Sequence, residues 1–154
     1  MKHLLLTTIA AALLVGCGNP DGALIQAAKD GNIEAVIQHL ANGVDVNVKN
    51  DFGFTPLLKA AQFGRRVVAE LLIANSADVS VKDKFGRTPL HCAADEDQTE
   101  VAELLIAAGA DVNGRDNGDR TPLDFAVMKK QNEISDLLRK HGGKTKKELK
   151  AEGK

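Results

Sequence analysis

The apolar residues of this chain recur in the same order every 33 positions. A Thr-Pro-Leu triplet begins at Thr55, Thr88 and Thr121, and a pair of leucines follows each triplet at a constant distance. Two of the three copies also carry a pair of alanines between these landmarks. A period of this length with apolar residues at helical spacing predicts similar two-helix units, each of which completes its core only by stacking on its neighbours.

Each landmark has a physical role at a helix end. Threonine at an N-cap accepts a hydrogen bond from a free amide, and proline suits the first helical position because it has no amide to leave unpaired. The triplets therefore predict first helices that begin at Pro56, Pro89 and Pro122. The apolar stripe of 67–74 predicts a second helix. The segment that follows a second helix, such as 111–118, is expected to turn back as an extended hairpin.

Glycine recurs where the second helices should end, at Gly43, Gly109 and Gly142. This position favours the left-handed backbone that ends many helices. Ser76 occupies it in one unit, and a left-handed residue other than glycine costs roughly 1–2 kcal/mol. We therefore expect a strained helix end at Ser76.

The repeat divides most of the chain into four units, at about 22–52, 53–85, 86–118 and 119–143. The predicted fold class is an all-α repeat solenoid of about four helix-turn-helix units joined by extended β-hairpin loops. The first unit has Gly-Ala in place of Thr-Pro, and the fourth has polar residues at otherwise apolar positions. Both changes are typical of terminal repeats whose outer face meets water.

These features resemble the ankyrin repeat family. Its signature pieces are the 33-residue period, the Thr-Pro-Leu-His run at 88–91 and the Gly-Ala-Asp-Val-Asn run at 109–113. The resemblance extends over about 22–143. It implies a non-catalytic module that binds a protein partner through its hairpin tips and the exposed side of each first helix. We expect a monomer that needs no cofactor and no metal.

Fourteen residues map onto that surface. They are Asp51, Phe52, Phe54, Gln62, Phe63, Lys84, Phe85, Arg87, Asp95, Glu96, Asn117, Arg120, Met128 and Lys129. Four of the five phenylalanines are among them, and only Phe125 falls on a core-type position. Because aromatic residues are enriched at binding hot spots, we expect Phe52, Phe63 and Phe85 to form a hydrophobic centre with charged members of the set around it. The alternative is that these rings pack against adjacent hairpins or fill a shallow local cluster.

The first sixteen residues have a different pattern. Lys2 and His3 precede an uncharged, mostly apolar run at 4–15. That run is shorter than the roughly 20 residues that span a bilayer, and it has the length of a signal-peptide core. We therefore expect a signal peptide at 1–16, which implies an exported protein.

The apolar run ends in Leu-Val-Gly-Cys at 14–17, which resembles the bacterial lipobox. The resemblance implies that Cys17 is lipidated and that a short tether at 17–21 joins the lipid to the repeats. The protein would then be a membrane-anchored lipoprotein that faces the periplasm or the cell surface. Gly18 weakly favours the outer membrane. The alternative is an ordinary signal cleaved nearby, with Cys17 not involved.

Composition narrows the remaining choices. Hydrophobic residues make up 44% of the chain but aromatic residues only 3%, so small aliphatic side chains must form the core. The net charge of −1 gives no electrostatic reason to expect nucleic acid as a partner. The tail at 144–154 is basic and is predicted either to extend the last helix or to stay disordered. A solubilising role for it is favoured over contact with anionic lipid.

Candidate chemistry is limited to two features. His91 lies beside Cys92, but neighbours on a helix point about 100° apart, so a structural role that links hairpin to helix is favoured. The acidic patch from Asp95 to Glu103 could hold a divalent cation, although a solvated face is favoured. The alternative function is a periplasmic metal-binding or hydrolytic protein that uses this patch and His91.

Overall fold

The computed structural model describes residues 19–154, and the predicted signal peptide at 1–16 and Cys17 lie outside them. Within this described part the chain forms nine α-helices and no β-strand. The helices are α1 (Pro20–Asp30), α2 (Ile33–Ala41), α3 (Pro56–Gln62), α4 (Arg66–Ala74), α5 (Pro89–Asp95), α6 (Thr99–Ala107), α7 (Pro122–Met128), α8 (Asn132–Lys140) and α9 (Lys146–Ala151). None of the helices in 19–154 is long and apolar enough to cross a bilayer.

The first eight helices form four pairs, which confirms the predicted all-α repeat solenoid. The first helices α1, α3, α5 and α7 pack side by side in one row, and the second helices α2, α4, α6 and α8 form another. Alanines of the first row are fully buried, at Ala28, Ala61, Ala94 and Ala126. Leucines of the second row are equally buried, at Leu72, Leu105 and Leu138. Burial of one such leucine contributes about 1.5–3 kcal/mol. Because buried residues of all four units belong to one cluster, the core runs continuously through the stack.

The predicted helix starts are confirmed for three first helices. Thr55, Thr88 and Thr121 have extended backbone, and each hydroxyl oxygen accepts a hydrogen bond from the amide three residues ahead. A proline follows each threonine at the first helical position. Loss of such a cap costs about 0.5–2 kcal/mol, so the triplets fix where these helices begin.

The second helices end as expected. Gly43, Gly109 and Gly142 have φ values of 84°, 94° and 84°, and Ser76 has φ of 69° at the same register. Ser76 therefore adopts the left-handed backbone without the freedom of glycine. Its carbonyl also accepts a 3.4 Å hydrogen bond from the Asn47 amide group of the preceding unit.

The first unit begins earlier than the repeat register predicts. Helix α1 starts at Pro20, inside the segment 17–21 that was expected to be a tether. Asn19 is its N-cap, and the side-chain oxygen of Asn19 accepts a 3.1 Å hydrogen bond from the Asp21 amide. Asn19 and Pro20 thus supply a cap and a proline one turn ahead of the position where other units carry Thr-Pro.

The basic tail neither extends the last helix nor lacks structure. Gly142 ends α8 with left-handed backbone, and the chain then forms α9 with Thr145 as its N-cap. Leu149 of α9 is only 6% exposed. The Thr121 hydroxyl donates a 2.7 Å hydrogen bond to the Lys144 carbonyl, which ties the tail to the last unit. The tail therefore covers the end of the stack.

Three tail lysines are paired with acidic side chains. Lys146 and Lys150 lie 3.6 and 3.8 Å from a carboxylate oxygen of Asp119. Lys144 pairs with Glu152 within the tail itself. These contacts take up much of the positive charge that the sequence concentrates in 144–154.

Candidate binding surface

A polar residue at the start of each hairpin holds its turn in place. Asn50, Asp83 and Asp116 each accept, through one side-chain oxygen, hydrogen bonds from the amides two and four residues ahead, at 2.8–3.0 Å. A backbone hydrogen bond then closes each turn between the first and fifth residues, and no strand ladder extends from it within 19–154. The 33-residue spacing of 50, 83 and 116 is the sequence signal for this role, which was not predicted above.

The three hairpins are bonded to one another in a row. The Lys84 amide donates a 3.3 Å hydrogen bond to the Phe52 carbonyl, and the Asn117 amide donates a 3.0 Å bond to the Phe85 carbonyl. The Asn117 side chain adds a 2.9 Å bond to the Lys84 carbonyl. The predicted hairpin residues of neighbouring units are therefore brought together along one edge of the stack.

None of the fourteen predicted surface residues is buried. Nine are exposed: Asp51, Phe52, Phe63, Lys84, Phe85, Glu96, Asn117, Met128 and Lys129. Five are half-buried: Phe54, Gln62, Arg87, Asp95 and Arg120. We call the surface that these hairpin and first-helix residues share the hairpin–helix face.

The four phenylalanine rings of this face fall into two groups. Phe52 contacts Phe54, with ring centroids 6.1 Å apart. The Lys59 ammonium lies 3.6 Å from the Phe54 ring centroid and 5.9 Å from that of Phe63. Phe85 belongs to the next hairpin, where Arg87 lies over its ring at 5.3 Å. Phe52, Phe54 and Phe63 therefore form one aromatic strip, and Phe85 sits beside its own cation.

Two lysines of this strip were not among the predicted residues. Lys59 lies on α3, and Lys29 lies in the last turn of α1 with its ammonium 5.3 Å from the Phe63 centroid. Burial lowers the pKa of Lys59, and the positive charges of Lys29 and Arg87 lower it further. The sequence held no local signal for this site, because Lys29 and Phe63 come from different units.

Arg87 and Arg120 each bind a buried aspartate, a contact that was not predicted from the sequence. The guanidinium of Arg87 is bonded to Asp83 at 2.9 Å, and that of Arg120 is bonded to Asp116 at 2.8–2.9 Å. Both aspartate side chains are fully buried. Burial alone would raise the pKa of Asp116, but hydrogen bonds from the backbone and guanidinium of Arg120 bring it below the usual value. These arginines close their hairpins while they line the face.

His91 links two units, as the structural interpretation of this residue predicted. It is fully buried, and its Nε2 lies 3.0 Å from the Arg120 carbonyl oxygen of the next hairpin. A carbonyl only accepts, so Nε2 carries the proton and Nδ1 accepts from the Thr88 amide and hydroxyl at 3.2 and 2.8 Å. Burial lowers the pKa of His91, which keeps the ring neutral. Both nitrogens are therefore engaged in the fold.

The rival metal or hydrolytic site gains no support. Burial raises the pKa of the Cys92 thiol to about 12, so the thiol stays protonated and unreactive. Asp95 is paired with Lys129 at 2.7 Å. Across residues 19–154, no three histidine, cysteine or acidic side chains converge in a way that could hold a metal ion.

Paired rows of helices, hairpins bonded edge to edge and Thr-Pro helix starts every 33 residues define a solenoid of short repeats. Comparison with known protein families also identifies short repeats in this chain. Three copies of the family described as Ankyrin repeats match the chain, at residues 7–83, 24–116 and 66–149. The chain belongs to the ankyrin repeat family, which is generally non-catalytic and supports protein interactions.

One curated relative is a human protein named mitochondrial disaggregase. It is 39% identical over 69 residues, which are 42% of this chain and 10% of that protein. The chain therefore spans a small part of the relative's length.

Proposed function

We propose that this protein is a non-catalytic interaction module that is exported, lipid-anchored at a bacterial envelope, and bound to a protein partner through the hairpin–helix face. The repeat family supports the interaction role. The envelope location is supported by the signal-peptide pattern at 1–16 and the lipobox-like residues that end at Cys17.

One observation carries the choice of surface. In a chain with five phenylalanines, Phe52 and Phe85 are 62% and 57% exposed on adjacent hairpins whose backbones are bonded together. Exposed rings held in a rigid frame bind with little loss of conformational freedom, and aromatic anchors dominate many interfaces. The face therefore offers a preformed surface across at least two units.

A capture experiment tests this surface. Immobilised protein without the leader is exposed to envelope extract, and bound proteins are identified by mass spectrometry. The Phe52→Ala, Phe85→Ala double variant should lose the partner, since removal of a hot-spot side chain costs at least about 2 kcal/mol, or roughly thirtyfold in affinity.

An Ile37→Ala, Val67→Ala double variant is the matched control. These two side chains are 50% and 54% exposed but lie on the second helices, away from the hairpin–helix face. It should retain the partner. Equal capture by both double variants would move the interface to another surface.

The anchor has its own test. Expression in a Gram-negative host with labelled palmitate should yield a labelled, membrane-associated protein, and Cys17→Ser should abolish the label. A wild-type chain that takes up no label would contradict the lipid anchor and would leave the interaction surface untouched.

A further inference from the structure

The strip formed by Phe52, Phe54 and Phe63 carries two cations that have no acidic partner in the described chain. Lys29 and Lys59 both face the Phe63 ring, at 5.3 and 5.9 Å from its centroid. Across residues 19–154, neither lysine takes part in an ion pair. The two ammonium groups therefore concentrate positive charge on a small apolar area.

The neighbouring acidic groups are already engaged. Asp83, the carboxylate that acts on Lys59 most directly, is fully buried and bound by Arg87. Asp30, next to Lys29, is bonded to the Gln26 amide at 2.9 and 3.0 Å. Lys59 itself donates to the Gln62 side-chain oxygen at 3.0 Å, which uses one of its three N–H groups. Both lysines thus keep donor capacity for an outside acceptor.

The apolar half of the site is also open. Phe52 is 62% exposed and Phe63 is 39% exposed. The Lys59 ammonium lies 5.9 Å from the Phe63 centroid and 3.6 Å from that of Phe54, the ring that Phe52 contacts. A ligand that neutralises the lysines would at the same time cover these rings. Half-buried cations gain most from a carboxylate, because charge-assisted hydrogen bonds are about twice as strong as neutral ones.

We propose that this strip binds an acidic segment of a partner protein, with a carboxylate side chain between Lys29 and Lys59 and a neighbouring apolar side chain against Phe52 and Phe63. The proposal rests on the interaction role proposed above and specifies the chemistry of its partner. A protein segment fits better than an anionic membrane or a nucleic acid. Residues 19–154 carry 21 acidic side chains against 19 basic ones (20 in the chain, less Lys2), so they offer an extended anionic surface no excess of positive charge.

Peptide selection tests the proposal directly. A random dodecapeptide library displayed on phage is selected on the immobilised full chain, and enriched peptides are synthesised for affinity measurement. The expected peptides carry aspartate or glutamate beside a large apolar residue. Replacement of that acid by its amide should weaken binding at least about tenfold, the change expected for a lost charge-assisted hydrogen bond.

Variants of the chain locate the contact. Lys59→Met keeps the apolar stem but removes the charge, and it should lower peptide affinity about tenfold with an unchanged melting temperature. Lys29→Met should act in the same direction, and Lys59→Arg should retain most of the affinity. Lys140→Met is the matched control, since Lys140 is an exposed lysine at the end of α8, and it should have no effect.

Three results would overturn the proposal. The first result is that the selected peptides lack acids, or that they bind Lys59→Met as well as wild type but do not bind the Phe52→Ala, Phe85→Ala variant. The hairpin–helix face would then still be the interaction surface, but its partner would not be an acidic segment. A second result is that no peptide is selected, while the protein sediments with phosphatidylserine vesicles and this sedimentation needs Lys29 and Lys59. The ligand of the strip would then be a membrane and not a protein segment. Binding to neither probe would remove the acidic ligand altogether.

Discussion

The first hairpin and the two that follow it close the same turn with different chemistry. At 83–87 and 116–120, a buried aspartate holds two backbone amides and a guanidinium. At 50–54, Asn50 holds the same two amides, and Phe54 occupies the position of the arginine. The Phe54 ring lies under the Lys59 ammonium at 3.6 Å.

This difference decides what each hairpin offers to a partner. An Asp–Arg pair satisfies its own charges, so it stabilises the turn and leaves little unpaired charge at the surface. The Asn–Phe hairpin exposes the Phe52 ring and leaves Lys59 without an ion pair within residues 19–154, beside two rings and the neutral Gln62 side chain. One fold therefore combines two hairpins that satisfy their own charges with one whose ring and lysine stay open to a partner.

The largest expected effect comes from removal of a buried carboxylate. Asp83→Ala leaves the Arg87 guanidinium and two amides without their partner, and it should lower the free energy of unfolding by about 3 kcal/mol. Asn50→Ala removes only neutral hydrogen bonds and should cost about 1 kcal/mol. Urea unfolding of both variants measures the contrast, and equal losses would show that the two hairpins are closed by interactions of similar strength.

The second largest effect on stability is expected at His91, whose equivalent in the preceding unit is Leu58. Because His91 bonds to the Arg120 carbonyl and Leu58 makes no such bond, His91→Leu should cost about 1–2 kcal/mol at pH 7. Burial lowers the pKa of His91, so its stabilisation is complete above the unfolded value of 6.5 and is lost as pH falls through the folded value.

Denaturation midpoints between pH 7.5 and 5 check this sign. The wild type should lose stability on acidification over that range, and His91→Leu should lose less. Parallel pH profiles for the two proteins would contradict a neutral, buried His91.

Conversion of the first hairpin into the later type separates binding from stability. The Asn50→Asp, Phe54→Arg double variant installs the Asp–Arg pair and places a further cation beside Lys59. Stability should change by no more than about 1 kcal/mol, because a buried ion pair gains little over what it replaces. Affinity for the selected acidic peptides should fall, since the ring platform is lost. Fluorescence anisotropy measures this loss, and unchanged affinity would exclude Phe54 from the strip.

A smaller gain in stability is expected at Ser80, where one unit lacks a side-chain hydrogen-bond bridge that two other units have. Asn47 bonds to the Ser76 carbonyl and the Asp78 amide, and Asn113 bonds to the residues 29 and 31 positions ahead in the same way. Ser80 has the equivalent register but a shorter side chain. Ser80→Asn should therefore stabilise the stack by about 1 kcal/mol. Thermal unfolding tests this, and Ser80→Ala, which adds no amide, is the control.

The smallest effect is expected at Ser76. Its φ of 69° strains a residue with a side chain, and Ser76→Gly relieves that strain at the cost of a more flexible unfolded chain. The net gain should be about 0.5 kcal/mol, seen as a slightly higher melting temperature. A lower melting temperature would mean that the serine side chain stabilises this helix end.

Local signals explain why so much of the fold was predictable. Thr-Pro caps, glycine helix ends and alanine pairs act within a few residues of their own position, so their 33-residue recurrence predicted the helices and the stack. The same reasoning failed at the chain ends. Asn19 and Pro20 begin α1 early, and Thr145 begins a separate α9, because terminal units follow their own caps once the repeat stops.

The sequence by itself determined the family, the register and which residues lie on the hairpin–helix face. It could not say which of those residues are free to bind. Tertiary structure decided that Arg87 and Arg120 close their own hairpins, that Asp95 pairs with Lys129, and that Lys29 reaches Phe63. The last two of these contacts join residues of neighbouring units and depend on side-chain direction after stacking, which a periodic pattern does not encode. The two arginine pairs lie within single hairpins, and the same pattern does not show that each guanidinium turns back to its aspartate.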